Sequence, residues 1–185
     1  MTVVDQNILS VREAGENDLE RIVDYFCNAD KDFLLGMGVE PLKLPQKDEW
    51  LKLLFHESQR CLMNKKIFYV VWLFNNIPVG HSNINKIIWS EEAYMHIHMW
   101  DSSNRQNGIG VKFIELSLPH FFDNFVLKRL YCEPYALNPS PNKTLKKIGF
   151  EFLREYVTIP GWIQFEQPVN LWVLSYDRFV KRNKI

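Results

Sequence analysis

The sequence predicts an α/β domain of the α+β type: a mixed, largely antiparallel central sheet of about seven strands flanked by about four helices. Three observations carry this. Apolar residues recur at steps of three and four in separate stretches, as amphipathic helices require. Continuous apolar runs such as residues 67–74 (IFYVVWLF) sit between turn formers, as strands do. Three strand-like runs follow one another without an intervening helix, so hairpin pairing dominates over strand–helix alternation. The chain has 185 residues, 46% of them hydrophobic and 24% charged. That is enough for one packed domain over residues 1–185, with no repeat or linker to divide it.

Residues 8–14 read as a first strand. Asn17 is placed to cap the first helix, with Glu20 three residues later in the position of a capping box. Leu19, Ile22, Val23 and Phe26 form its apolar face. Residues 30–47 hold two glycines and two prolines and read as irregular. A second helix spans residues 48–64, with Trp50, Leu51, Leu54, Phe55 and Leu62 facing inward. Strands follow at 67–74 and 77–87, joined through Asn75-Asn76, a pair that tolerates positive φ and suits a hairpin turn. Another strand covers 93–101. A long helix follows, its buried seam Val111, Ile114, Leu118, Phe121 and Phe125, with Pro119 expected to bend it or cut it short. Residues 128–138 read as a strand and 139–148 as a short helix. Pro141 suits that helix's first turn and Gly149 the position after its end. The last strands are 150–159 and 169–176.

Bulk composition narrows the function. Lys plus Arg and Asp plus Glu are balanced at 22 each, which speaks against a nucleic-acid binder that relies on a basic surface. Cys27, Cys61 and Cys132 are odd in number and far apart, so they read as free thiols of a reducing compartment. No secretory signal and no apolar run long enough for a membrane span is present. A cytoplasmic protein is expected. His96 and His98 lie two apart on one strand face, but no third ligand stands at a telling spacing, and no metal is expected.

The most informative stretch is Arg105-Gln106-Asn107-Gly108-Ile109-Gly110-Val111. Glycine costs a helix roughly 1 kcal/mol relative to alanine, yet two stand at the start of this one. The free N–H groups of a first helical turn and the helix dipole form an anion site. Glycine there lets a phosphate reach the backbone, and Arg105 adds a mobile charge. The alternative is a glycine start for tight packing. Downstream, Asn138 follows a strand and stands eleven residues before Gly149-Phe150.

These two motifs and the order of elements resemble the GCN5-related N-acetyltransferase superfamily. RQNGIG matches its acetyl-CoA pyrophosphate loop, and Asn138 its last motif. The Leu145-x-x-Ile148-Gly149-Phe150 segment and the tail from residue 155 look most like the branch that acetylates ribosomal-protein N-termini. The resemblance implies acetyl-CoA as co-substrate, no metal, and a primary amine as acceptor, either a protein N-terminus or a small molecule. It implies no nucleic-acid or membrane partner, and a monomer or homodimer.

In this family two neighbouring strands splay and the pantetheine arm lies between them. Here those are the strands ending near residue 101 and starting at 128, with His98, Met99 and Trp100 offering backbone groups to the arm and the thioester. Pro134 fits the end of pairing, or an ordinary sheet edge. Asn138 would hold the thioester or pantetheine, or serve only as a helix cap. Glu133, five residues before Asn138, matches the catalytic glutamate of ribosomal-protein alanine acetyltransferases; its alternative role is a structural partner of a lysine or arginine. Tyr135 shares its face if the strand stays regular, and would protonate the leaving thiolate. The tyrosine that many relatives carry seven residues after the asparagine is here Leu145. Tyr135 or Ser140 substitutes, or the thiolate leaves unaided, since a thiol with a pKa near ~8.5 is a tolerable leaving group. A non-catalytic acyl-CoA-binding or sensing module of the same fold is the alternative function.

Overall fold

The computed structural model describes residues 7–100 and 108–182. In chain order it contains β1 (Leu9–Glu13), α1 (Glu16–Cys27), α2 (Lys31–Gly36), α3 (Lys47–Ser58), β2 (Ile67–Phe74), β3 (Ile77–Ile88) and β4 (Glu92–Met99). Then come α4 (Ile109–Phe125), β5 (Arg129–Cys132), α5 (Pro139–Ile148), β6 (Glu151–Thr158), β7 (Gln167–Ser175) and α6 (Tyr176–Arg182). The seven strands form one sheet in the order β1-β2-β3-β4-β5-β7-β6. Every neighbouring pair is antiparallel except β4 and β5, which run parallel. The mixed, largely antiparallel sheet is therefore as expected.

Each face of the sheet buries its own core. On one face α4 and α5 pack Phe113, Phe121, Phe125, Leu145 and Ile148 against Val70, Trp72, Ile84 and Met95. The Trp72 indole donates to Ser82 and Ser117 hydroxyls at 3.2 and 3.0 Å, so its one polar atom is satisfied inside this core. On the other face α1 and α3 bring Leu19, Ile22, Val23, Phe26, Trp50 and Leu54 together. Asn75 and Asn76 take φ of 49° and 63° at the β2–β3 hairpin, the left-handed values expected of them.

Several expected boundaries differ, each for a physical reason. The first helix starts at Glu16 with Gly15 as its cap, ahead of Asn17. Asp18 sets that start. Its carboxylate accepts from the Gly15 N–H at 2.8 Å and from Arg12 at 2.6 and 3.0 Å, holding the first turn to the end of β1. Residues 30–47 are not wholly irregular. Asp30 accepts from the Phe33 N–H at 2.8 Å and caps α2, which buries Leu34. The following helix ends at Ser58, short of 64, because Glu57 turns back to accept from the backbone N–H of Ile67 at 3.3 Å. Phe55, expected inward, is 43% exposed: the buried stripe of α3 is Trp50 and Leu54, and one residue further along turns ~100° away. Pro119 does not shorten α4, which runs on to Phe125. Proline removes a single N–H there, and Leu118, Phe121 and Phe122 on either side are buried. A sixth helix, α6, follows β7 directly and seats Phe179 against Phe122, ring centroids 4.7 Å apart. No helix among the described residues is long and apolar enough to cross a membrane.

The largest difference bears on function. The strand expected over 128–138 ends at Cys132. Strands β4 and β5 pair only from Glu92↔Arg129 to Tyr94↔Tyr131. Pro134 has no N–H for a ladder, and beyond it the chain stays with β7 instead. Asn170 N–H donates to the Pro134 carbonyl at 3.1 Å, and Tyr135 bridges Val169. The sheet is thus split between β4 and β5.

Candidate active site

The split opens a cleft of ≈ 530 Å³ that passes through the sheet. Its lining comes from both faces. Gly110 and Ile114 of α4 and Ser140 and Thr144 of α5 line one side. Tyr25 of α1, Phe33 of α2 and Met37 line the other, with His96 and His98. Glu133, Pro134, Tyr135 and Asn138 lie along the edge that left the ladder. Six of the residues singled out from sequence, His98, Met99, Gly110, Glu133, Tyr135 and Asn138, therefore meet in one cleft. The regular strand that was to put Glu133 and Tyr135 on one face is absent; the proline turn brings both to the cleft instead.

Arg105, Gln106 and Asn107 lie outside the described residues. Gly108 does initiate α4, at φ 71°, in the left-handed region that favours glycine. Among the described residues, a Cβ built there would meet nothing within 4 Å. Packing against those residues therefore does not demand the glycine; the backbone conformation does. At Gly110 a Cβ would touch only the Met99 Cε, at 4.0 Å. Ile109 and Val111 occupy the first turn beside these glycines, half-buried against the core.

The expectation that His98, Met99 and Trp100 all turn their backbone toward the split needs correction. Trp100 N–H donates to the Val79 carbonyl at 2.9 Å. In an antiparallel pair such bonds alternate along the strand, so His98 also faces β3. Its carbonyl oxygen lies where a Cβ on Gly80 would come within 2.6 Å. The peptide groups of Ile97 and Met99 are the ones directed to the side where β5 departs. The Trp100 indole donates to His81 Nδ1 at 2.8 Å, tying β4 to β3 on the α1 face.

Glu133 is 8% exposed and fully engaged. Its Oε2 lies 3.4 Å from Lys86 Nζ, and its Oε1 accepts a short hydrogen bond from the Tyr156 hydroxyl. Both partners escaped the sequence reading. Strict alternation would send Lys86 to the α4 face with Ser82 and Ile84, but β3 bulges between Asn85 and Ile88, and Lys86 takes φ 48°. That kink swings its ammonium over the Tyr94 ring, 4.5 Å from the centroid, and onto Glu133. Nothing in the sequence marks the bulge. Burial and the Glu133 carboxylate together push the Tyr156 hydroxyl up, so it stays a proton donor.

The histidines are held neutral. Burial, with help from its neighbour His96, lowers His81 to about 3. Burial and the nearby Lys86 charge lower His96 to about 4. Burial, His81 and His96 press His98 well below its usual range. His96 Nε2 and His98 Nδ1 are buried without a hydrogen-bond partner. Cys132 also lines the cleft, but burial and Glu133 push its thiol up to about 12, which leaves it a poor nucleophile. Among the described residues no group of three or more His, Cys, Asp or Glu is arranged to hold a metal ion.

Asn138 caps α5, its Oδ1 accepting from the Ser140 N–H at 3.3 Å, while the residue still lines the cleft. Leu145 is wholly buried in the α5 core face. The cleft-facing positions of this helix are Ser140, Pro141 and Thr144.

A family model described as an acetyltransferase (GNAT) domain matches residues 9–151. The chain belongs to the GNAT acetyltransferase family. Solved structures agree on the fold. Spermidine N-acetyltransferase from Vibrio cholerae, in complex with CoA and spermine, superposes with a TM-score of 0.76 at 16% identity, covering 93% of this chain and 98% of that one. The aminoglycoside acetyltransferase AAC(6')-Ib, with coenzyme A and kanamycin, gives 0.73 at 13% identity, over 95% and 99%. RimL, a ribosomal L7/L12 α-N-protein acetyltransferase in complex with coenzyme A, gives 0.71 at 16%, over 92% and 95%. No curated protein matches the sequence. The family and the CoA-bound neighbours together support an acetyl-CoA-dependent acetyltransferase.

Proposed function

We propose that this GNAT protein moves the acetyl group of acetyl-CoA directly onto a primary amine, through a tetrahedral intermediate. The observation that carries this reading is the cleft itself. It crosses the sheet where β4 and β5 part, with a glycine-initiated helix on one face and a buried carboxylate, Glu133, at its edge. The N-terminal turn of α4, from Gly108 to Val111 and helped by Arg105, Gln106 and Asn107, receives the pyrophosphate. The arm runs along the Ile97–Met99 edge of β4, taking the place that β5 leaves open.

Glu133 takes the proton as the amine nitrogen attacks the thioester carbon, directly or through one water. Lys86 and Tyr156 hold the carboxylate in place. As the carbonyl oxygen gains charge, a backbone N–H of the β4 edge stabilises it, an interaction that can be worth ~3 kcal/mol. When the intermediate collapses, the C–N bond is kept and the C–S bond breaks. The thiolate accepts a proton from the Tyr135 hydroxyl or from solvent. The depressed nucleophilicity of Cys132 favours this direct route over an acyl-cysteine intermediate. Asn138 steadies the arm from the start of α5.

Thiol release from acetyl-CoA in the presence of primary amines tests the proposal. Turnover that depends on the amine, and that Glu133→Gln abolishes while acetyl-CoA still binds, supports it. Binding of the coenzyme without transfer to any amine would instead make the protein an acyl-CoA-binding module.

A further inference from the structure

The two mouths of the cleft differ in chemistry, and the difference bears on the acceptor. Residues of β4 alternate, so Met95, Ile97 and Met99 face α4 while His96 and His98 face α1. The glycine turn of α4 lies on the first side. The acceptor must then approach from the second.

Among the described residues, that second mouth is aromatic and nearly uncharged. Tyr25 packs edge-on against both Phe33 and His98, with centroids 6.0 and 5.4 Å apart. Met37 accepts a hydrogen bond from the Tyr25 hydroxyl. Two carboxylates among the described residues line the cleft, Asp32 and Glu133. The charge of Glu133 is already matched by Lys86, so Asp32, near the rim on α2, is left as the one lining carboxylate without an ion pair among the described residues. A ligand carrying three or more ammonium groups needs a carboxylate or comparable acceptor for each that it buries. The described walls do not provide that many. They do provide two buried, partnerless imidazole nitrogens, His96 Nε2 and His98 Nδ1. Burial keeps both rings neutral, so they can accept hydrogen bonds from a single amine or from its water.

Resting on the transferase reading above, we infer that the acceptor is a small monoamine on an apolar or aromatic body, seated on Tyr25, Phe33 and Met37 with its nitrogen toward His96 and Glu133. Polyamines and aminoglycosides, the ligands in two of the neighbouring complexes, do not match this mouth. A flat body fits the edge-on rings, and a lone amine can enter unprotonated, ready to attack.

The test compares kcat/KM for 2-phenylethylamine, spermidine, kanamycin and a short peptide with a free N-terminus, alongside calorimetric titration with acetyl-CoA. The inference expects the arylalkyl amine to lead each of the others by at least about tenfold. It also expects Phe33→Ala to raise the KM for that amine by about tenfold while the KM for acetyl-CoA holds. Equal or better turnover of spermidine, kanamycin or the peptide overturns it. So does an absence of turnover with the arylalkyl amine in a protein that binds acetyl-CoA. Failure to bind acetyl-CoA at all is a separate result, and it overturns the transferase reading first.

Discussion

Substitution of Gly108 separates the two reasons a glycine can stand at the start of α4. The residue adopts φ 71°, and a Cβ there would meet nothing within 4 Å among the described residues. Alanine in the left-handed region costs about 1–2 kcal/mol. A chain of this size loses roughly 2–4 °C in Tm for each kcal/mol. Gly108→Ala therefore lowers Tm by about 2–8 °C. Asparagine tolerates left-handed backbone much better, so Gly108→Asn lowers it by no more than about 2 °C. Coenzyme affinity follows a different order. Both side chains occupy the space before the first turn, and each charge-assisted hydrogen bond they displace from a phosphate is worth about 1.5–3 kcal/mol. At 1.4 kcal/mol per decade, both variants bind acetyl-CoA about tenfold to a hundredfold more weakly, the asparagine variant despite its near-normal stability. Thermal melts and calorimetric titration read the two effects independently. Wild-type affinity in Gly108→Asn would refute the reasoning, because the glycine would then serve backbone geometry alone. Gly110→Ala is the counterpart for stability: its Cβ reaches only the Met99 methyl at 4.0 Å among the described residues, so it should gain about 0.5–1 kcal/mol while still weakening acetyl-CoA binding, because it adds a methyl to the turn that receives the pyrophosphate.

Glu133→Gln should lower kcat by about 10²–10⁴-fold with little change in acetyl-CoA affinity; steady-state rates and titration check this, and an unchanged kcat would assign Glu133 to structure. Gly80→Ala should destabilise by about 1–3 kcal/mol in urea unfolding. Its Cβ would sit 2.6 Å from the His98 carbonyl oxygen and 3.2 Å from the Met99 Cα, against backbone that cannot yield, and 2.9 Å from the Trp72 ring. His81 should give the fold an acid dependence that begins near neutrality. Its folded pKa is about 3 and its unfolded value ~6.5, so its contribution is complete above ~6.5 and drains away as pH falls toward 3. Of the stability that urea melts lose between pH ~7 and ~5, His81 should account for about 1–2 kcal/mol, read as the difference between wild type and His81→Gln; the same pH dependence in both proteins would show that the ring is solvated.

Much of this was legible in the residue order. The helix seam of α4, the Asn75-Asn76 hairpin, the Pro139–Ile148 helix with Gly149 behind it, and the seven strands all follow from local patterns that tertiary contacts reinforce. The glycines around Gly108 pointed to the cleft through their own chemistry, whereas Glu133 and Asn138 were reached through the family resemblance, which residue order alone left open to a structural glutamate and a helix cap. What escaped depends on contacts between distant segments. Asp18 takes over the start of α1 because Arg12 happens to lie across from it. Lys86 reaches Glu133 only through a bulge, and Tyr156 comes from a strand 23 residues further on. The direction of the Trp100 peptide depends on its pairing with Val79, a register that no single strand reveals. Leu145 reads as a lost catalytic position in the sequence; in the fold that position faces the core.

The most direct test of the account is a single turnover with acetyl-CoA labelled in its acetyl group, mixed with the protein in excess and 2-phenylethylamine, quenched at short times and resolved by mass. Direct transfer predicts that label leaves the coenzyme and arrives on the amine nitrogen, with none held on Cys132 or any other protein side chain at intermediate times. Label that remains on a bound coenzyme, or that accumulates on the protein before reaching the amine, would contradict it.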